Sequence, residues 1–268
     1  MTCTPQWIDT HSLLSRVPLF DGMKPATLTY IASRARVMHA PRGEMIFRKD
    51  EACAGIYLVI YGQVKLFFTS LQGGEKILDI LEQGHTFGEA SLFQEGNHQV
   101  YAQTLNDCLL LYIAKPVIMA ELEKNMTFAH RMMNHLAQRL FELTQEVESY
   151  SLDSGRQRLI NYLLRQALAK GKNGAENDRE SPEQNAATLT LLSRKGVIAS
   201  RLNIAHEYFS RLLHELSENG LLSVDGRDIH LKDLARLRQY ATDSALASEP
   251  LRPPRAMTKI PARVALAG

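Results

Sequence analysis

A chain of 268 residues with 45% hydrophobic content is long enough for two cored domains, and its formal net charge of +2 makes no case by itself for a polyanionic partner. Its cysteines, Cys3, Cys53 and Cys108, are odd in number, far apart and without a CxxC pair, which argues against a disulfide framework or a structural zinc site. No basic start followed by an apolar run marks a signal peptide, and no apolar run of about eighteen residues marks a membrane span, so a cytoplasmic chain is expected.

Residues 7–37 read as two short helices. Pro18 and Gly22 separate them, and Pro25 suits the first turn of the second, where a missing N–H costs nothing. From about 36 to 114 the texture changes to short β-type runs: Met45–Phe47, Ile56–Ile60, Val64–Thr69, Lys76–Leu81, Val100–Thr104 and Leu109–Ile113. Glycines such as Gly62, Gly84 and Gly96 punctuate them. Many short strands at near-even spacing predict an antiparallel barrel or jelly roll.

Lys115-Pro116 opens a helical region. Within it Met126, Ala129, Met133, Leu136, Leu140, Leu143, Val147 and Tyr150 recur in alternating steps of three and four. A helix buried in its own domain would carry a broader apolar face. A seam this narrow predicts a partner helix, and so a parallel homodimer seated on Met133, Leu136, Leu140, Leu143 and Val147. Another helix is predicted from Gly155 to Ala169, with Leu159, Leu163 and Leu164 inward. Residues 170–187 are polar and contain Gly and Pro, which predicts a surface loop.

Residues 193–231 predict two helices, a tight turn between them and a hairpin. Ser193 is a suitable N-cap. Ile198 and Leu202 give the first helix a narrow apolar face. Asn203 tolerates the positive φ that such a turn requires. The second helix starts near Ala205, buries Phe209, Leu212, Leu213 and Leu216, and ends at Asn219-Gly220. Asp225-Gly226 then joins Leu221–Val224 to Ile229–Leu231 as a hairpin. Helix, turn, helix and wing is a layout that places the second helix in a DNA major groove. Its early exposed positions are His206, Glu207, Ser210 and Arg211. Arg211 can donate a bidentate pair to guanine, Glu207 can accept from a cytosine amino group, and Ser210 can bond a base edge or a phosphate. The competing reading is that Glu207 and Arg211, four apart, pair on a solvated face. From 244 the tail is rich in proline and has no period, so disorder is expected.

The expected fold class is α+β. A β-roll occupies 12–124, a dimerisation helix 125–151, a winged helix-turn-helix 152–243 and a disordered tail 244–268. This order of parts resembles the Crp–Fnr family of bacterial transcription regulators, over roughly residues 12–235. The motifs that carry the resemblance are GxVKLFxxxxxGxEKIL from Gly62 to Leu78, FGEASLF from Phe87 to Phe93, and Glu-x-x-Ser-Arg at Glu207, Ser210 and Arg211. Ser210 is similar to the Fnr and Dnr branches, where the Crp branch has Gly. The resemblance implies a TTGAT-type half-site in an inverted pair, RNA polymerase as a partner, and a small effector in the β-roll. His206 and Tyr208 depart from the usual family residues.

The expected effector pocket holds Glu89, Gln99 and Val100. In the Crp branch an Arg-Ser pair at the last two positions holds the cyclic phosphate, so Gln99 and Val100 argue against cAMP. Glu89 is expected as a structural residue bonding turn amides. Three cysteines do not supply the four thiolates of an iron–sulfur cluster. The Dnr branch, linked to nitric oxide sensing and denitrification, is the nearest match, with haem b as the candidate cofactor. A haem needs an axial ligand. His39, His85, His98, His130 and His135 are available, and His11, near the N-terminus, is the candidate taken forward. A cyclic-nucleotide-responsive regulator and a repressor without any ligand stay open. A β-roll metalloenzyme is the rival from another class, but no His-x-His pair, P-loop or Ser-His-Asp pattern supports it, and no enzyme is expected.

Overall fold

The computed structural model describes residues 9–94, 97–174 and 185–247. Cys3, residues 175–184 of the predicted loop and 248–268 of the predicted tail lie outside the described residues. The chain opens with helix α1 (Thr10–Ser15), whose first turn is capped by the Asp9 carboxylate accepting from the N–H groups of His11 and Ser12. A 3-10 turn (Pro18–Phe20) and helix α2 (Pro25–Ala32) follow, with Pro25 at the first helical position.

Eight strands then build two four-stranded antiparallel sheets. They are β1 (Arg36–Ala40), β2 (Met45–Phe47), β3 (Gly55–Tyr61), β4 (Val64–Thr69), β5 (Glu75–Leu81), β6 (Thr86–Phe87), β7 (Tyr101–Thr104) and β8 (Cys108–Ala114). One sheet runs β1-β8-β3-β6 and the other β2-β7-β4-β5. Helix α3 (Glu89–Phe93) follows β6, and helix α4 (Lys115–Lys124) follows β8. The predicted jelly roll is therefore present. β1 and β6 escaped the sequence reading, because β1 shows no clean alternation of buried and exposed positions and β6 is only two residues long. α3 follows Gly88, whose φ of 97° is favourable only for glycine and whose missing Cβ would meet the Gly55 carbonyl at 3.0 Å.

The roll interior is packed with rings. Phe47 stacks on His98 at 3.6 Å between centroids, and Phe87 lies 5.9 Å from Phe47 and 5.1 Å from Tyr57. His98 is buried, and its Nδ1 has no hydrogen-bond partner among the described residues. Burial pushes its pKa down, against the opposing pull of Glu51. The folded state therefore resists a proton that the unfolded chain accepts below about pH 6.5. Stability falls as pH drops through that value, by at most about 1.4 kcal/mol per pH unit, until the folded imidazole also titrates. His98→Phe keeps the stack and should flatten this slope; urea midpoints at pH 7.5 and 5.5 measure it.

Helix α5 (Met126–Leu152) starts at Asn125, whose side chain accepts from the Phe128 N–H. Its first turns are anchored in the β-roll. Phe128 and Met132 are buried there, and Phe128 stacks on Phe20 at 5.8 Å. These two anchors lie off the predicted seam. The seam itself divides: Met126, Met133, Leu140 and Val147 are exposed in the single chain, whereas Leu136, Leu143 and Tyr150 are half-buried.

Helix α6 (Gly155–Gly174) runs beyond the predicted end at Ala169 into the stretch read as loop. The Gly residues there lower helix propensity without ending the helix. Strand β9 (Ala187–Thr190), helix α7 (Lys195–Arg201), helix α8 (His206–Glu218), strands β10 (Leu222–Asp225) and β11 (Asp228–Leu231), and helix α9 (Leu234–Ala247) complete the second domain. β9 pairs with β11, making the wing a three-stranded sheet rather than a hairpin alone. α9 carries the structure past 244, so the predicted tail begins late. Its Leu237 and Ala241, four apart, are buried in a core with Leu159, Leu163, Phe209, Leu213 and Ile229. Among the described residues no helix is long and apolar enough to cross a membrane.

Candidate DNA-reading face and effector chamber

The turn between α7 and α8 depends on Asn203, with φ of 55°, and on the Ile204 N–H bonding back to the Ala199 carbonyl at 2.9 Å. Ile204 is buried beside Leu202 and ties the turn to the core. Phe209, Leu212, Leu213 and Leu216 seat α8 in that core. The opposite side of its first two turns is exposed, and His206, Glu207, Ser210 and Arg211 all lie there. The structure brings these four positions onto one face. Among the described residues no ion pair joins Glu207 to Arg211; the guanidinium lies 5.2 Å over the Tyr208 ring instead.

Tyr208 departs from the usual family residue and is bulky. A Cβ at Gly155 would sit 2.9 Å from its ring, so the absence of a side chain at Gly155 is what makes room. Ser193 does not cap α7. The N-cap is Arg194, without a side-chain bond, and the buried Ser193 hydroxyl donates to Gln63 Oε1 in the β-roll at 2.9 Å. That partner is 130 residues away in sequence, so local pattern could not reveal it.

In the β-roll, Glu89 is buried at the start of α3. Its Oε1 lies 3.1 Å from His135 Nε2 on α5, and Thr86 Oγ1 lies 3.2 Å from the same nitrogen. Glu89 therefore faces the long helix, and among the described residues it bonds no turn amide, contrary to the expectation from sequence. The cause is His135, brought over α3 by the anchoring of Phe128 and Met132. Gln99 is exposed and donates to the Asn97 carbonyl, and Val100 packs against the roll interior. Among the described residues no hydrogen bond links Glu89 to either, so the three expected pocket positions are not drawn into one polar cluster. A cavity of about 300 Å³ lies instead between the 3-10 turn, the β5–β6 turn and α5, lined by Val17, Leu19, Leu81, His85, Thr86 and His135 among others. Sequence reasoning missed this chamber, because its walls come from three distant segments.

His11 lies in α1, half-buried, and does not line the chamber. Among the described residues no group of three or more His, Cys, Asp or Glu stands ready to hold a metal ion. Cys53 and Cys108 are both buried thiols whose pKa values burial pushes up.

Residues 37–125 match the cyclic nucleotide-binding domain family, and 157–240 match the Crp-like helix-turn-helix domain. The cyclic AMP receptor protein of Thermus thermophilus is 30% identical over 84% of this chain and 96% of its own length. A CRP-like cAMP-activated global transcriptional regulator of Mycobacterium tuberculosis is 21% identical over 85% of this chain and 98% of its own. The solved structure of FixK2 from Bradyrhizobium japonicum has the same fold, with a TM-score of 0.66 at 19% identity, over 76% of this chain and 96% of that one. Such relatives regulate transcription and are not enzymes, and in this chain the cyclic nucleotide-binding match precedes the helix-turn-helix match. The chain belongs to the Crp–Fnr family of DNA-binding transcription regulators.

Proposed function

We propose that this regulator acts as a parallel homodimer that reads an inverted repeat of TTGAT-like half-sites, and that a small effector in the β-roll controls it. The observation that carries the reading is the exposed quartet His206, Glu207, Ser210 and Arg211 at the start of α8, above a fully seated apolar face. Glu207, Ser210 and Arg211 support an Fnr- or Dnr-type half-site over the Crp type. RNA polymerase is the proposed partner at the promoter. The effector shifts the population between two dimer arrangements, which requires that it bind one of them better.

Haem carrying nitric oxide is the first effector candidate. His85 and His135 stand in a chamber wall that also carries Gln83, Thr86 and Arg139 beside its apolar residues, and an imidazole there has the right chemistry for an axial ligand. His135 Nε2 is engaged by Glu89 and Thr86, among the described residues His85 bonds the Glu82 backbone through Nδ1 and not Nε2, and His11 is elsewhere, so His85 replaces His11 as the candidate ligand. A volume of about 300 Å³ lies at the small end of ligand pockets, so the residues fit the group in kind and the chamber must widen to admit it. Reconstitution with haemin should give a Soret band that shifts with nitric oxide and weakens in His85→Ala. A spectrum identical to free haemin would remove haem from the reading.

A cyclic-nucleotide-responsive regulator is the second reading, favoured by the names of the Thermus and Mycobacterium relatives. Gln99 and Val100 count against it, because neither supplies a cation to a cyclic phosphate. Anisotropy titrations of labelled operator should be unchanged by cAMP. A gain of tenfold or more would favour this second reading over haem.

A further inference from the structure

Asp79 and Arg201 meet where three elements converge. Asp79, on β5, offers one oxygen to each of two guanidinium groups: Oδ2 accepts from Arg139 Nη2 of α5 at 2.6 Å, and Oδ1 from Arg201 Nε of α7 at 3.2 Å. Arg201 Nη2 also reaches Glu146 Oε1 of α5 at 2.5 Å. The Tyr150 hydroxyl of α5 donates to the Arg201 carbonyl at 2.7 Å. These charged side chains are largely buried: Asp79 is 11%, Glu146 14% and Arg201 18% exposed. Burial acts to raise the Asp79 pKa, but Arg201 and Arg139 outweigh it and hold the carboxylate charged.

Further bonds surround this clasp. Lys76 Nζ donates to the Ser200 carbonyl at 2.5 Å, and Ser200 Oγ accepts from the Ile77 N–H at 3.1 Å. Arg158 Nη2 of α6 donates to the Asn203 carbonyl at 3.2 Å. Among the described residues no hydrogen bond or ion pair connects the β-roll or α5 to α8 itself. The grip falls on α7 and its flanks, and the reading face stays exposed while the clasp is closed.

A planar guanidinium bonded to carboxylates on two different elements fixes orientation as well as distance. α7 and α8 share one core, so holding the first holds the second. In a two-fold dimer the two reading faces must stand about 34 Å apart, one turn of DNA. Contacts inside one DNA-binding domain cannot set that separation; contacts to the β-roll and to α5 can. We propose that Arg201, held by Asp79 and Glu146, is a positioning residue that sets where each reading helix stands on the dimer, and so which gap between half-sites the protein accepts. The proposal rests on the dimeric inverted-repeat reading above.

Asp79→Asn in the full chain is the direct test, because it leaves Arg201 with Glu146 and Arg139 with Glu142, so each guanidinium keeps a carboxylate. Hydrogen exchange over residues 195–204 should quicken at least tenfold. Affinity for the preferred inverted repeat should fall at least tenfold, while operators with one base pair added to or removed from the gap lose less. Discrimination between gaps then shrinks, and affinity for a single half-site is unchanged. Arg201→Met should repeat this, and Arg201→Lys, which keeps the charge but not the planar fork, should recover part of the affinity without the discrimination. Full discrimination retained in Asp79→Asn would overturn the positioning role. Unchanged exchange in that variant would overturn the clasp without reference to DNA. Indifference to the gap already in the wild type would instead overturn the inverted-repeat reading.

Discussion

Arg211→Ala is expected to abolish discrimination between operator and random DNA while the protein remains folded and self-associated. Arg211 is exposed in the second turn of α8, on the face opposite Leu212 and Leu213. Its guanidinium has no carboxylate partner among the described residues and rests over Tyr208, so its donors are free to meet a guanine edge. A bidentate contact is worth about 1–3 kcal/mol of discrimination, and a dimer makes it twice. The loss is therefore roughly 2–6 kcal/mol, or about thirtyfold to twenty-thousandfold, in the ratio of specific to non-specific affinity. Removing a charge of the same helix that touched only phosphate would weaken all sequences alike and lower the salt slope. Anisotropy titrations against operator and scrambled DNA at two salt concentrations separate these cases. A specificity ratio unchanged from wild type would remove Arg211 from the base-reading set.

Leu140→Asp is expected to convert the protein from dimer to monomer in sedimentation equilibrium. Leu140 is 67% exposed and Val147 64% exposed, at the same heptad position as Met133 and Met126. Among the described residues nothing covers this stripe, although Phe128 and Met132 of the same helix are fully buried. Covering one leucine in each partner contributes about 1.5–3 kcal/mol per side chain. Two carboxylates facing each other across a dry seam cost several kcal/mol more. Operator binding should fall with the dimer, because one half-site contact cannot replace two. An unchanged dimer would mean that the seam is internal and does not carry self-association.

The two helices of the DNA-reading module were legible because each is short, amphipathic and bounded by local signals. Asn203 adopts the positive φ that its side chain tolerates, and Gly226, with φ of 57°, turns the hairpin between Asp225 and Asp228. Local signals failed where the decisive partner was distant. Ser193 has the chemistry of a cap, yet a β-roll glutamine takes its hydroxyl. Strand β9 consists of ordinary residues that become a strand only because β11 offers a free edge. Helix α9 is capped by Asp233, whose carboxylate accepts from the Arg236 N–H at 2.9 Å, but its packing on α6 and the domain core and the Tyr240 hydroxyl bond to Glu215 are long-range contacts that no local pattern reveals.

The sequence by itself determined the order of the modules, the apolar face of the reading helix and the chemistry displayed on its other side. These follow from periodicity and side-chain type, which are properties of neighbours along the chain. Tertiary structure alone decided how the modules meet. It turned Glu89 toward His135, shaped the chamber beside His85, and closed Asp79 and Glu146 on Arg201. Asp79 and Arg201 are 122 residues apart. Their attraction is felt only after both domains have folded and brought the charges together with their side chains largely buried.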